Sequence, residues 1–112
     1  MATKVIFRKW YKRHGGDIIA LFPETPGSND GGLCQSYMHL GQHGAANPNW
    51  VIQASYPATE EEYKDLLAEL EKIGYDDLVI VKKQTRHSID VRLENIKKLY
   101  EKWDKDVEEN KA

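Results

Sequence analysis

Short apolar runs separated by glycine- and proline-rich segments fill the first half of the chain, a pattern typical of β-strands. Residues 4–11 and 18–22 are two such runs, and Gly15 and Gly16 lie between them. Because glycine tolerates the positive φ of a tight turn, these runs predict a hairpin. Residues 23–32 are crowded with Pro, Gly, Asn and Asp, which predicts an exposed loop after the second strand.

Residues 33–40 alternate in the way of a strand with two different faces. One face suits a core, and the other is a row of hydrogen-bonding groups. The core face carries Cys34, Ser36, Met38 and Leu40, and the polar face carries Leu33, Gln35, Tyr37 and His39. Residues 41–49, rich in Gly and Asn, predict a connection, and residues 50–56 predict a fourth strand that pairs with the third.

Helical signals dominate the second half. Thr59 and Glu62 have the spacing of a capping box, and Gly74 is a typical helix end. Between them, apolar residues at steps of three and four predict a helix that packs on the sheet: Tyr63, Leu66, Leu67, Leu70 and Ile73. Residues 78–81 predict a short buried strand. From Ser88 onward a heptad pattern follows, made by Ile89, Leu93, Ile96, Tyr100, Trp103 and Val107.

These elements predict an α+β fold, with a mainly antiparallel sheet of about five strands backed by one helix, in the order ββββαβ. A C-terminal amphipathic helix follows. A chain of 112 residues is the size of one domain, so we expect residues 1–87 to form a single α+β domain. Residues 88–112 form the helix, which either docks on the uncovered sheet face or pairs with a copy from another chain in a homo-oligomer.

The composition indicates an ordinary globular protein, with 40% hydrophobic and 30% charged residues and a net charge of −2. No overall field draws it to nucleic acid or to an anionic membrane. The lone Cys34 cannot form an intramolecular disulfide, and no apolar stretch approaches the roughly 20 residues of a membrane span. We therefore predict a cytoplasmic protein with no membrane partner and no sequence-specific nucleic-acid partner.

Charge is distributed unevenly along the chain. Residues 1–16 contain five basic residues and no acidic one, whereas residues 31–59 contain no charged residue at all. At 30% charge, an uncharged run of 29 residues from a given start has a probability of about three in 100,000. Because the run is rich in Gln, Asn, His and Tyr, it is a hydrogen-bonding segment and not simply a core strand.

This uncharged run contains the sharpest candidate for a binding site. Its glycines allow a close approach to the backbone, and neutral polar side chains offer directional hydrogen bonds. The residues predicted to recognise a ligand are Gln35, Tyr37, His39, Gln42 and His43. The cations predicted to neutralise its phosphate are Arg8, Lys9, Lys12 and Arg13, which alternate with aromatic residues in the first strand.

Other interpretations of these residues stay open. His39 and His43 have a metal-ligand spacing that Cys34 and His14 could complete, but Gly41 and Gly44 interrupt the segment. Nucleophilic catalysis lacks a local carboxylate, and no nucleotide-binding fingerprint or paired-carboxylate motif is present. We therefore predict no metal, no cofactor and no catalytic residue. The basic strand could equally be a protected sheet edge, and the polar row could be a satisfied internal network.

Three segments resemble small proteins of bacterial genomes and their phages: residues 5–9, residues 18–24 and the stretch from Cys34 to Gly44. The resemblance covers roughly residues 5–86 and carries no established activity. It implies a mobile-element setting, in which small proteins sequester a signal molecule or block a host defence protein. That setting favours binding over catalysis.

The leading hypothesis is a non-enzymatic module that sequesters a small polar ligand of the nucleotide-like, phosphate-bearing kind. The first alternative is an inhibitor that engages a host protein through the C-terminal helix or the basic edge strand. The second alternative is a small metal-dependent or hydrolytic enzyme.

Overall fold

The computed structural model describes residues 2–39 and 42–109, without the side chains of Gln42 and of residues 103–109. The predicted core position of Leu40 lies outside the described residues. The fold is α+β, as predicted. Its elements are β1 (Thr3–Trp10), a short 3-10 helix (Lys12–His14), β2 (Ile18–Pro26), β3 (Cys34–Met38), β4 (Gln42–Ala46), α1 (Pro48–Gln53), β5 (Ser55–Pro57), α2 (Glu60–Lys72), β6 (Leu78–Ile80) and α3 (Arg86–Glu109).

The strands form one sheet in the order β4-β3-β2-β1-β5, and β6 also pairs with β1. The predicted hairpin of β1 and β2 is confirmed: Ile6 lies opposite Leu21, and Gly15 and Gly16 both have positive φ in the turn. All pairs are antiparallel except β1 with β6, which is parallel.

Strand β1 lies inside the sheet, so the interpretation of it as a protected edge strand is wrong. One side of β1 pairs with β2, and the other side is shared by β6 and β5. Thr3 to Val5 pair with β6, and Arg8 to Trp10 pair with β5. The cations of β1 therefore do not protect an exposed backbone edge. A partner cannot add a strand to β1, since its backbone is already paired.

Helices cover both faces of the sheet. The sequence predicted one backing helix and a C-terminal helix that either docks on the other face or pairs with another copy. On one face, α2 packs Leu66 and Leu70 on a cluster formed by Val5, Phe7, Ala20, Phe22 and Tyr37. On the other face, Val51 of α1 joins Ile6, Ile19, Leu21 and Cys34. The first half of α3 adds Arg92 there, whose charge acts on Cys34. Burying both faces leaves little of the central sheet for a ligand.

Two predictions for residues 41–56 are wrong. Residues 42–46, predicted as a connection, form β4, because pairing with β3 overrides the low strand propensity of Gly and Ala. The predicted fourth strand at 50–56 is instead α1 followed by the short β5. The side chain of Asn47 accepts hydrogen bonds from the amides of Asn49 and Trp50, and Pro48 occupies the first helical turn. The Asn47 cap and Pro48 start a helix, although the residues that follow are typical of strands.

The helix start at Thr59 is confirmed, since Thr59 and Glu62 form both bonds of a capping box. Strand β6 is less buried than predicted, because Val79 and Ile80 are exposed.

Helix α3 begins at Arg86 and packs against β2. There Arg92 donates to the carbonyls of Pro23 and Gly31, and Asn95 donates to the carbonyl of Glu24. Within the described residues, no helix is long and apolar enough to cross a bilayer.

Candidate functional site

The polar residues of β3 lie on the sheet face that α2 covers. Tyr37 is only 1% exposed and packs in the core under α2. Its hydroxyl donates to Oε2 of Glu69 at 2.5 Å. Next to it, Nδ1 of His39 lies 2.6 Å from Oε1 of the same carboxylate. Glu69 of α2 therefore holds both side chains, and the phenol is directed into the protein and not toward solvent.

His43, another residue of the polar row, also contacts side chains within the protein. His43 of β4 lies edge-on to Tyr37, with ring centroids 4.6 Å apart, and its Nε2 is 3.2 Å from the hydroxyl of Tyr75. Tyr75 in turn stacks on Phe22, and burial raises the pKa of its phenol. Gln35 is half-buried on the same strand as Tyr37. The side chain of Gln42 lies outside the described part of the chain.

A cleft of about 480 Å³ opens beside this row, between α2 and the ends of β2 and β3. It is lined by Asp17, Ile18, Met38, His39, Glu62, Asp65 and Leu66. Three of these side chains are carboxylates. Such a lining repels phosphate, so the cleft lacks the charge that the predicted ligand requires.

Two of the four predicted cations are engaged within the protein. Arg8 is buried, and its guanidinium donates to the hydroxyl and the carbonyl of Ser55 and to the carbonyl of Ile52. Burial lowers its pKa. Nζ of Lys9 lies 2.9 Å from Oε2 of Glu62, and this hydrogen bond raises the lysine pKa. Both were predicted to neutralise a phosphate. In the structure Arg8 ties β1 to α1 and β5, and Lys9 ties β1 to α2.

Lys12 and Arg13 are different, because both are exposed in the 3-10 helix that follows β1. Among the described residues, neither forms an ion pair with a carboxylate. The guanidinium carbon of Arg13 lies 5.3 Å from the centroid of the Tyr11 ring, and its Nε donates to Nε2 of His14 at 3.4 Å. These two contacts hold the positive charge of Arg13 at the surface of the protein.

Aromatic rings are grouped at the end of β1, close in sequence to these two cations. The Trp50 ring lies 5.3 Å from Trp10 and 6.1 Å from His14, and the Tyr11 ring stacks on Tyr56 at 6.1 Å. Trp50 is 55% exposed, and Tyr11 and Tyr56 are also exposed. We call this region the aromatic–cationic surface. It comprises Trp10, Tyr11, Lys12, Arg13, His14, Trp50 and Tyr56.

The histidines and the cysteine that a metal site would need are apart. Cys34 is buried on the face opposite Tyr37, and burial raises the pKa of its thiol to about 11. A thiol with such a pKa is a poor nucleophile and a poor ligand near neutrality. Within residues 2–39 and 42–109, no group of three or more His, Cys, Asp or Glu side chains is arranged to hold a metal ion.

No protein-family model, no curated protein and no solved structure matches this chain significantly. The interpretation of the site therefore depends on its residues alone.

Sequence reasoning included Lys12 and Arg13 in the site but missed the aromatic rings grouped at the end of β1. Trp50 and Tyr56 were assigned to a strand, where their side chains would lie on a sheet face. The cap at Asn47 and the proline after it were the available signal for α1. Glu69 was missed as the partner of Tyr37, although its position one residue before Leu70 places it beside the apolar stripe of α2.

Proposed function

We propose that the protein binds a nucleotide-like, phosphate-bearing ligand and acts by holding it. The contact region in this proposal is the aromatic–cationic surface and not the polar row on β3. The observation that carries the proposal is Trp50, an exposed indole packed against Trp10 and against His14, which accepts a hydrogen bond from Arg13. Lys12 and Arg13 form no ion pair with a described carboxylate. Large exposed aromatic groups of this kind mark interaction sites.

The chemistry of this surface matches a base joined to a phosphate. An exposed ring offers a stacking face for any base, worth about 1–3 kcal/mol per base. Lys12 and Arg13 offer charge and hydrogen-bond donors to the phosphate oxygens. Trp50 and Tyr56 both belong to the uncharged residues 31–59, so neither ring has a carboxylate next to it in the sequence.

The shape of the surface favours an extended ligand. The rings surround the end of β1 and form an open surface, so a single base gains only part of the available stacking. A nucleoside triphosphate or a short single strand, which carries several phosphates, gains more from the two cations. Binding by stacking and charge does not select a base sequence, consistent with the expectation of no sequence-specific nucleic-acid partner.

Calorimetry tests the proposal with AMP, ADP, ATP and an octathymidylate as probes. We expect affinity to increase with the number of phosphates and to weaken as salt is added. Lys12→Gln with Arg13→Gln should weaken ATP binding at least tenfold, and Trp50→Ala should do the same. Trp50→Phe, which keeps a stacking face, should retain most of the affinity.

The matched control is Lys64→Gln with Lys72→Gln, which removes the same charge from exposed positions of α2. It should bind as the wild type does. Circular dichroism must show the same helix content in every variant. A dissociation constant weaker than about 100 μM for every probe, equivalent to roughly −5.5 kcal/mol, would overturn the proposal. So would equal losses in the control and in the surface variants.

A further inference from the structure

Helix α3 extends beyond the body of the protein. A helix of 24 residues is about 36 Å long at 1.5 Å per residue, longer than the two smaller dimensions of the molecule, which measures 54 × 29 × 24 Å. The radius of gyration is 15.4 Å, whereas a compact chain of this length has about 13 Å. Among the described residues, the buried positions and the hydrogen bonds that join the helix to the body belong to its first half, at Ser88, Arg92, Asn95 and Ile96. From Lys97 to Lys102 every side chain is exposed.

We call residues 97–109 of this helix the overhang. Leu99 and Tyr100 follow the buried Ile96 at steps of three and four, so apolar residues continue from the docked part of the helix into the overhang. Leu99 is 60% exposed and Tyr100 is 46% exposed. A groove of about 300 Å³ at the base of the overhang is lined by Ser28, Asn29, Ile96, Leu99 and Tyr100. An apolar stripe and an open groove are therefore left without a covering element in the described part of the chain.

The charges along the overhang are arranged in two opposite blocks. Residues 97–102 contain three lysines and one glutamate, a net charge of +2. Residues 103–109 contain two aspartates, two glutamates and one lysine, a net charge of −3. Two copies side by side in the same direction would place like charges together. Two copies in opposite directions place each basic block against the acidic block of the other.

We propose that the overhang of α3 pairs antiparallel with the same segment of a second copy, forming a two-fold symmetric dimer. The two-fold axis lies near residue 103, so each acidic block meets a basic block. The C-terminal end of the second helix lies over the groove formed by Ile96, Leu99 and Tyr100. This arrangement covers the exposed stripe of both chains with one self-complementary contact.

The contact is small. Two helical segments of 13 residues form an interface at the low end of the range for specific complexes. A reversible dimer that forms at micromolar concentrations is therefore the expected state. Since part of its stability comes from exposed charges, it weakens as salt is raised.

Sedimentation equilibrium of the full chain from 5 to 200 μM tests this proposal. We expect a monomer–dimer equilibrium for the wild type. Lys97→Glu, Lys98→Glu and Lys102→Glu combined give both blocks of the overhang a net negative charge and should give a monomer at all concentrations. Asp104→Lys, Asp106→Lys and Glu108→Lys combined make it basic and should do the same. An equimolar mixture of these two triple variants should restore the dimer as a heterodimer.

The control is Lys64→Glu, Lys72→Glu and Lys82→Glu combined. It changes the net charge as much as the lysine-to-glutamate variant of the overhang does, but at exposed positions outside α3. It should dimerise as the wild type does. Because the side chains of residues 97–102 are exposed, the variants should keep the circular dichroism of the wild type. A wild-type chain that is monomeric at 200 μM overturns the proposal, and then a different protein is the remaining occupant of the overhang. A dimer that persists in both triple variants, or a mixture that stays monomeric, also overturns it.

Discussion

Two regions of this molecule draw on the same uncharged run of residues, yet they differ in how their polar and aromatic groups are satisfied. On β3, Tyr37 and His39 share one carboxylate of α2. At the end of β1, Trp50 and Tyr56 are exposed, and the nearby Lys12 and Arg13 form no ion pair with a carboxylate among the described residues. A segment without charged residues therefore does not by itself mark a binding site, because a helix distant in sequence can supply a carboxylate partner to its polar groups.

Position relative to α2 explains the difference. Helix α2 crosses the sheet face that carries Tyr37 and brings Glu69 within hydrogen-bond distance of it. The aromatic–cationic surface is built from the end of β1, the 3-10 helix, α1 and β5. We infer that the polar groups of β3 contribute to folding stability, whereas the exposed rings contribute to binding. Substitutions matched in kind but placed in the two regions separate these contributions.

The largest expected effect comes from removing an aromatic ring in each region. Tyr37→Ala should lower the free energy of unfolding by about 3–5 kcal/mol, because it leaves a cavity in the core and removes a partner of Glu69. Trp50→Ala should lower it by about 1 kcal/mol or less, since half of that ring is in solvent. Urea unfolding followed by circular dichroism measures both. Equal losses in the two variants would contradict the comparison.

A smaller effect on the free energy of unfolding is expected from removing Glu69, the carboxylate that binds Tyr37 and His39. Glu69→Ala leaves the buried hydroxyl of Tyr37 without this acceptor and should cost about 1–3 kcal/mol. The control is Glu71→Ala on the same helix, whose side chain is exposed and should change stability by no more than about 0.5 kcal/mol. ATP affinity should stay the same in both variants. A loss of affinity in Glu69→Ala alone would return the polar row to the binding site.

The parts of the fold that were predictable from sequence have local causes. The hairpin of β1 and β2 follows from its glycine pair, and the start of α2 follows from the capping box at Thr59. Helix α1 was missed because Trp50, Val51 and Ile52 are residues typical of strands, and six residues give a helical period little room to show. Strand β4 was missed because its small residues have no strand preference and depend on β3 for pairing.

The site was less predictable than the fold because its decisive contacts are distant in sequence. The alternation of residues 33–40 places Tyr37 on the correct face, but its partner is 32 residues away on α2. Likewise, nothing in the sequence of β1 indicates that Arg8 donates to Ser55, which lies 47 residues further along the chain. Local patterns identify which groups are polar. The tertiary fold decides which of them are satisfied.

The smallest expected effect concerns Glu62, which lies between the two regions. Its carboxylate accepts from the backbone amide of Thr59 and from Lys9, and these bonds, the first above all, hold its pKa below the usual value of 4.5. A carboxylate with a lowered pKa in the folded state contributes stability above its unfolded pKa. That contribution is lost as the pH falls through the folded value. Glu62 should therefore stabilise the protein at pH 7 more than at pH 3.

Glu62→Gln isolates this charge, because glutamine can keep the capping box while losing the ion pair with Lys9. Urea unfolding should show the variant slightly less stable than the wild type at pH 7, and the gap should narrow steadily as the pH is lowered from 5 to 3. Glu61→Gln, at the neighbouring exposed position, should show little gap at either pH. If the gap for Glu62→Gln is the same at pH 7 and pH 3, the carboxylate acts through its shape and not its charge. The charge of the Lys9–Glu62 pair would then not contribute to joining β1 and α2.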